Sequence, residues 1–299
     1  MLAVHRRLAV LPEFVERRVG DALIRLHPAF LDPAFVTRLA EPDQFFRDPG
    51  CEIVKDQKKI KVGRLTVTIA GSPLSVYVKR YNAFSMRYKV VSTFVRSGAR
   101  RALSGAAILS SKNIQTAKPV AAVERRVRGV LTGSFFISEE VAGGATVDVY
   151  WRETLRPIAG KGGFWRRRRF LGALAGLFHR LHEQSIYHDD LKDANILAVP
   201  NGVEAAESFF LLDFEGVRSR SPLSERRRIK NLMQLERTLG RHLRPVDRLV
   251  FLKSYLGVSF ADRRFRRKQV NTILATARRV DRANVRAERA DQAKGSPRV

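Results

Sequence analysis

What most limits how this chain can fold is an ordered set of polar residues, each placed where an apolar segment ends. A run of strand-forming residues, Ser75-Val-Tyr-Val, stops at Lys79. Much later, Phe170, Leu171, Leu174, Leu177, Phe178 and Leu181 mark one face of an amphipathic helix, which leads into the polar loop His188-Asp-Asp190-Leu-Lys192-Asp-Ala-Asn195. A second apolar run, Ser208-Phe-Phe-Leu-Leu, stops at Asp213-Phe-Glu-Gly. Taken singly, these polar residues read as helix caps and turn formers. In this order, at a strand end, in a helix-to-strand loop and at another strand end, they call for a β-rich first part and a helical second part.

The rest of the chain supports that division. Residues 1–50 carry Pro12, Pro28, Pro33, Pro42 and Pro49 between short apolar pieces, and predict a helical N-terminal extension. From Cys51 to Tyr81 three alternating runs predict a meander. The Ala-rich stretch from Arg96 to Ser110 predicts a helix, and Val120–Glu124 and Val130–Ile137 predict two more strands. The expected class is therefore α+β: a small lobe over 51–138 with a five-stranded antiparallel sheet and one helix, then a larger, mainly helical lobe over 139–270. In that lobe Glu225–Leu243 and Val246–Leu256 predict helices joined near Pro245. Residues 271–299 predict a basic tail that frays from about Ala275.

Composition narrows the function classes. The 299 residues, 44% hydrophobic and 28% charged, are enough for a packed core. The one cysteine, Cys51, excludes an internal disulfide and a multi-cysteine zinc site, so a reducing cytoplasm is expected. No apolar run reaches the ~18 residues of a membrane-spanning helix, and the first residues do not read as a secretory leader. The 56 Lys and Arg against 29 Asp and Glu leave a formal charge of +27, which favours a polyanionic partner. Arg166–Arg169, Arg226–Arg228 with Lys230, and Arg263–Lys268 form the densest clusters. No nucleic-acid-binding motif accompanies them, so nucleic acid is not the expected partner.

The polar set fits H-x-D-L-x-x-x-N followed by an Asp in the D-F-G position, with Val-Tyr-Val-Lys79 standing where V-A-I-K ends a strand. That pattern belongs to phosphoryl transfer, in which a protein mainly positions ATP and neutralises charge on the transferred group. Lys79 is expected to hold the α- and β-phosphates, with Asn195 and Asp213 as oxygen ligands for Mg²⁺. Asp190 is expected to accept or orient the proton of the attacking hydroxyl, and Lys192 to reach the γ-phosphate. Glu139 and Val141 fall at the hinge, where backbone groups meet adenine. His188 is read as a loop brace, and His179 and His182 as packing residues.

These residues, together with Ala117-Lys-Pro-Val-Ala, Phe135-Phe-Ile-Ser-Glu-Glu, Leu212-Asp-Phe-Glu-Gly-Val-Arg and Asp247-Arg-Leu-Val-Phe-Leu, resemble the lipopolysaccharide kinase (Kdo/WaaP) family over roughly residues 50–258. The resemblance implies a bilobal protein-kinase-like fold and an ATP-dependent, Mg²⁺-requiring kinase acting on a heptose or Kdo hydroxyl of the lipopolysaccharide inner core. It implies a cytoplasmic protein with a peripheral place on the anionic inner-membrane surface. Three departures stand out. Asp56-Gln-Lys58-Lys59-Ile-Lys61 replaces a glycine-rich loop, leaving those lysines, or a merely solvated turn, in its place. From Arg80 to Val123 there is no acidic residue, so the helix glutamate that usually pairs with the strand lysine is missing. The interval from Asp213 to Arg226 is too short for an activation loop, which favours a small or glycolipid acceptor over a protein. A kinase-like enzyme with another acceptor and a pseudokinase scaffold are the competing readings.

Overall fold

The computed structural model describes residues 14–82, 96–202 and 205–295, with side chains up to Arg286. Residues 1–13 with Pro12, residues 83–95 of the acid-free stretch, and the last residues of the basic tail lie outside the described residues. The chain divides into two compact units, 1–142 with 213–217, and 143–212 with 218–299. The division falls after Ala142, four residues beyond the expected boundary, and the first unit takes in the Asp213–Val217 segment.

The first unit is built on one antiparallel sheet of seven strands: β1 (Val15–Val19), β2 (Ala22–Leu26), β3 (Glu52–Gln57), β4 (Ile60–Ile69), β5 (Ser72–Tyr81), β6 (Pro119–Val127) and β7 (Val130–Glu139). Their order is β1-β2-β6-β7-β5-β4-β3. The antiparallel sheet was expected, but with five strands. The two additional strands come from residues read as a helical extension: β2 pairs with β6, Ile24 opposite Val123, and β1 closes a hairpin on it. Sequence reading missed them because each is only five residues long and β1 exposes nearly all its side chains, so it lacks the alternation that marks a half-buried strand. The helical part of the expectation holds for Pro33–Ala40, here α1, capped by the Asp32 carboxylate on the Phe35 N–H at 2.7 Å.

β4 alternates buried Gly63, Leu65, Val67 and Ile69 with exposed Arg64, Thr66 and Thr68. Two hairpins close through tight turns with both central residues at positive φ, Ala70-Gly71 and Arg128-Gly129, the backbone of a twist-matched two-residue turn. Leu65, Val76 and Ile137 from one face pack with Phe35, Leu39 and Phe45 of the N-terminal segment into a common core. The helix α2 (Gly98–Ser110) buries Ala99, Ala102, Leu103, Ala106 and Leu109. Ser97 caps α2, accepting from the Arg100 N–H at 3.1 Å, and Ser134 Oγ accepts from the Ala99 N–H at 3.0 Å. Glu124, buried on β6, meets Arg25 at 2.9 Å. Burial raises its carboxyl pKa, but hydrogen bonds from Arg25 and Ser97 and nearby guanidinium charge outweigh burial and hold it below the usual range.

The second unit is mainly helical: α3 (Gly160–Glu183), α4 (Glu225–Arg237), α5 (Pro245–Leu256) and α6 (Arg263–Gly295). The six apolar positions read from the sequence on α3 are all buried. Three short strands, β8 (Ala145–Thr146), β10 (Ile196–Val199) and β11 (Ser208–Leu211), form a sheet in the order β11-β10-β8, and β9 (Ile186–His188) follows α3. The basic tail does not fray from Ala275: α6 continues to Gly295 and buries Gln269, Ile273 and Ala277 at four-residue intervals, a stripe held by packing with α4.

Candidate active site

In the first unit, β5 carries Lys79 in register with Phe136 of β7 and Val62 of β4, which fixes its height on the sheet. Lys79 Nζ lies 2.6 Å from Asp213 Oδ1 and 3.6 Å from Glu215 Oε1. Asp213 adopts φ 57 and ψ 57, a left-handed conformation that a short polar side chain tolerates. The next residue, Phe214, is buried and meets the Phe136 ring edge-on at 5.5 Å, anchoring the segment to β7.

The missing helix glutamate is resolved by an exchange of signs. Helix α2 supplies Arg101, whose Nη2 donates to Glu215 Oε2 at 3.2 Å, while the other oxygen of the same carboxylate faces Lys79. The acidic partner thus comes from the Asp-Phe-Glu-Gly segment, and the helix holds that partner. Gly105 makes this approach possible, because a Cβ there would overlap the carbonyl oxygen of Phe214. Arg101 and Glu215 were not singled out in the sequence; a cation on the helix with an acid at the third position of the Asp-Phe-Glu-Gly motif was the available signal.

Lys58 and Lys59 form the exposed two-residue turn between β3 and β4. Asn82 braces that turn, its Nδ2 donating to the Gln57 and Lys58 carbonyls at 3.2 Å and its N–H to Lys59 at 2.9 Å. Lys61 is committed to Asp56 at 3.1 Å. Glu139 lies on β7, and its N–H donates to the Lys118 carbonyl at 2.8 Å. Val141 follows, half-buried, just inside the end of the first unit's main segment.

In the second unit, Asp190, Lys192 and Asn195 form one cluster. Lys192 Nζ is 2.6 Å from Asp190 Oδ2, and Asn195 Nδ2 donates to the Asp190 carbonyl at 2.8 Å and to its carboxylate at 3.2 Å. His188 braces the loop: its Nδ1 accepts from the Asp190 N–H at 3.1 Å, and its Nε2 lies 3.0 Å from the Leu212 carbonyl oxygen. Helix α4 grips the same loop through two amides. Asn231 Nδ2 donates to the His188 carbonyl and Gln234 Nε2 to the Asp189 carbonyl, each at 2.6 Å, while Gln234 Oε1 accepts from the Leu191 N–H at 3.2 Å. These positioning residues were missed by sequence reading. Their signal was an asparagine and a glutamine three residues apart among the apolar positions of an amphipathic helix.

Asn231 connects onward to His182, fully buried on α3 with Nε2 3.4 Å from Asn231 Oδ1 and Nδ1 2.8 Å from the Tyr255 hydroxyl. Burial pushes the His182 pKa down from its ordinary 6.5 to about 4. The unfolded chain therefore takes up this proton near pH 6.5, while the folded chain resists it until about pH 4. The stability is complete above pH 6.5 and is lost as pH falls through that window, about 3 kcal/mol in all at ~1.4 kcal/mol per unit. Urea unfolding at pH 7 and 4.5 is expected to show the wild type losing about 2 kcal/mol more than His182→Gln over this range, the remainder of the loss falling below pH 4.5. Equal losses would refute the assignment.

Chains that set a strand lysine against an acidic segment, and carry an aspartate and an asparagine in one loop after a long helix, are kinase-like; this chain is of that class. The model of the lipopolysaccharide kinase (Kdo/WaaP) family matches residues 51–255, and the chain belongs to that family. One solved structure that shares its fold is described as WaaP in complex with acyl carrier protein, with a TM-score of 0.58 and 20% sequence identity over 83% of this chain and 97% of that one. No curated protein matches the chain.

Proposed function

We propose that this protein is an ATP-dependent, Mg²⁺-requiring phosphotransferase acting on a heptose or Kdo hydroxyl of the lipopolysaccharide inner core. The observation that carries the reading is the Lys79–Asp213 ion pair at 2.6 Å, which joins residues 134 apart in the chain as a nucleotide site requires. Each member is the right counter-charge for one half of a magnesium–nucleotide: Lys79 for phosphate oxygens, Asp213 for the cation. Glu215, held by Arg101, would remain as an acidic partner of Lys79 with Asp213 serving a cation.

The donor set suits magnesium. No cluster of three or more His, Cys, Asp or Glu side chains able to hold a metal occurs among the described residues. Magnesium takes few protein ligands and completes its octahedron with phosphate and water, and the Asp213 carboxylate of the first unit and the Asn195 amide oxygen of the second are each hard donors of the kind it takes. The bound cation would neutralise charge on the transferred phosphoryl group. Asp190 orients the acceptor hydroxyl and takes its proton, and Lys192 offsets negative charge beside it. Lys58 and Lys59 add positive charge at the exposed turn. The backbone at Glu139 and Val141 would receive the adenine edge, the Val141 backbone making no hydrogen bond among the described residues.

Acceptor chemistry is supported by a groove of about 750 Å³ between α4 and α6. Arg226, Arg227, Lys230, Lys268 and Arg279 line it against one carboxylate, Glu225. Arginine and lysine in that density suit a sugar carrying several phosphates and carboxylates. Purified protein incubated with labelled ATP, Mg²⁺ and defined inner-core oligosaccharides is expected to transfer one phosphate to a sugar, located by mass spectrometry. Transfer to neither heptose nor Kdo would overturn the reading.

A further inference from the structure

Among the described residues no helix is long and apolar enough to cross a membrane, yet the second unit exposes a cluster of large apolar side chains. On the outer face of α5, Val246 and Leu249 are 45% and 51% exposed, with Lys253 continuing the same face at helical spacing. Beside them the first turns of α3 present Trp165, 60% exposed and in edge contact with Phe164 at 5.2 Å. The turn after α5 adds Val258, 95% exposed. Trp165, Val246 and Leu249 line a shallow groove of about 870 Å³ whose lining also includes Arg168, Arg169 and Lys253 and no carboxylate.

The arginine run explains how the cations come to be there. Arg166 donates to the Tyr150 hydroxyl at 3.2 Å, and Arg167 to the carbonyls of Leu155 and Ile158 at 3.1 and 2.8 Å. Those two serve the interior. Arg168 and Arg169 instead border the groove, Arg168 lying 5.7 Å over the Trp165 ring. An indole with aliphatic neighbours, rimmed by cations and free of acids, matches the boundary of an anionic bilayer, where rings sit among headgroups and cations meet lipid phosphate.

We propose that this face, the start of α3 with the outer side of α5, docks the protein on an anionic lipid bilayer. The inference rests on the glycolipid-acceptor reading for its purpose but not for its test. Vesicles of phosphatidylglycerol and phosphatidylethanolamine, without acceptor or nucleotide, are expected to sediment the protein. Tryptophan emission is expected to shift to the blue. The chain has two tryptophans, and Trp151 is 2% exposed, so the shift reports Trp165.

The double variant Trp165→Ala/Leu249→Asp is expected to lower partitioning by about tenfold or more, with far-ultraviolet circular dichroism unchanged. A second double variant, Arg168→Glu/Lys253→Glu, alters only the rim and is expected to remove the preference for anionic over phosphatidylcholine vesicles; it decides the matter if the first does not fold. Both are expected to phosphorylate a water-soluble core oligosaccharide like the wild type. Absence of vesicle binding, an unmoved emission, or partitioning and lipid preference unchanged in the variants would each overturn the proposal. Because the vesicles carry no substrate, that failure would leave the phosphotransfer reading standing, and loss of phosphotransfer would leave this one standing.

Discussion

Asp190→Asn is expected to lower phosphate transfer by about 10²- to 10⁴-fold, the range for removing a positioned general base, while nucleotide binding and fold are retained. The substitution keeps the shape of the side chain and an oxygen for Asn195 Nδ2, which now donates at 3.2 Å, but removes the charge that meets Lys192 at 2.6 Å. The backbone of the loop does not depend on that carboxylate. His188 accepts the Asp190 N–H, and Asn231 and Gln234 hold the carbonyls of His188 and Asp189. A circular dichroism spectrum and a nucleotide titration matching wild type, beside a collapsed turnover, would be the signature. Turnover within a few-fold of wild type would remove Asp190 from the catalytic role.

Asp213→Asn is expected to cost about 10²- to 10³-fold in turnover and to raise the Mg²⁺ concentration needed for half-maximal rate. Asparagine is the clean test, since it tolerates the left-handed backbone at 213 and changes only charge. Alanine would add backbone strain to the loss of the carboxylate. Loss of the negative charge also releases Lys79 from its partner at 2.6 Å, leaving Glu215 at 3.6 Å. Glu215→Gln is therefore expected to have a smaller effect than Asp213→Asn, expressed mainly as weaker nucleotide binding. An Asp213→Asn enzyme with unchanged rate and Mg²⁺ dependence would refute the metal-ligand assignment.

The legible parts of this protein share a property: their determinants are close in sequence. The alternation along β4 and the buried stripe of α3 each follow from neighbours a few residues apart. The Asp190–Lys192–Asn195 cluster is likewise local, closed by bonds across two and five residues. What escaped reading depends on distant partners. Strands β1 and β2 exist because β6 offers a free edge to pair with, and α6 persists past Ala275 because Ile273 and Ala277 find a buried place that an isolated charged sequence does not reveal.

From the sequence alone follow the class of the chain and the order of its polar residues, since side chains at strand ends and in tight loops are set by local backbone periodicity and turn chemistry. The partner of Lys79 was decided by tertiary structure. With no acid on the helix, packing of Phe214 against Phe136 and the space left by Gly105 brought Asp213 and Glu215 to the lysine and gave Arg101 to the glutamate. The grip of Asn231 and Gln234 on the loop arose in the same way. A part-buried ion pair or amide hydrogen bond between distant residues forms only where two surfaces have been packed together, and no spacing along one strand or helix records which surfaces those will be.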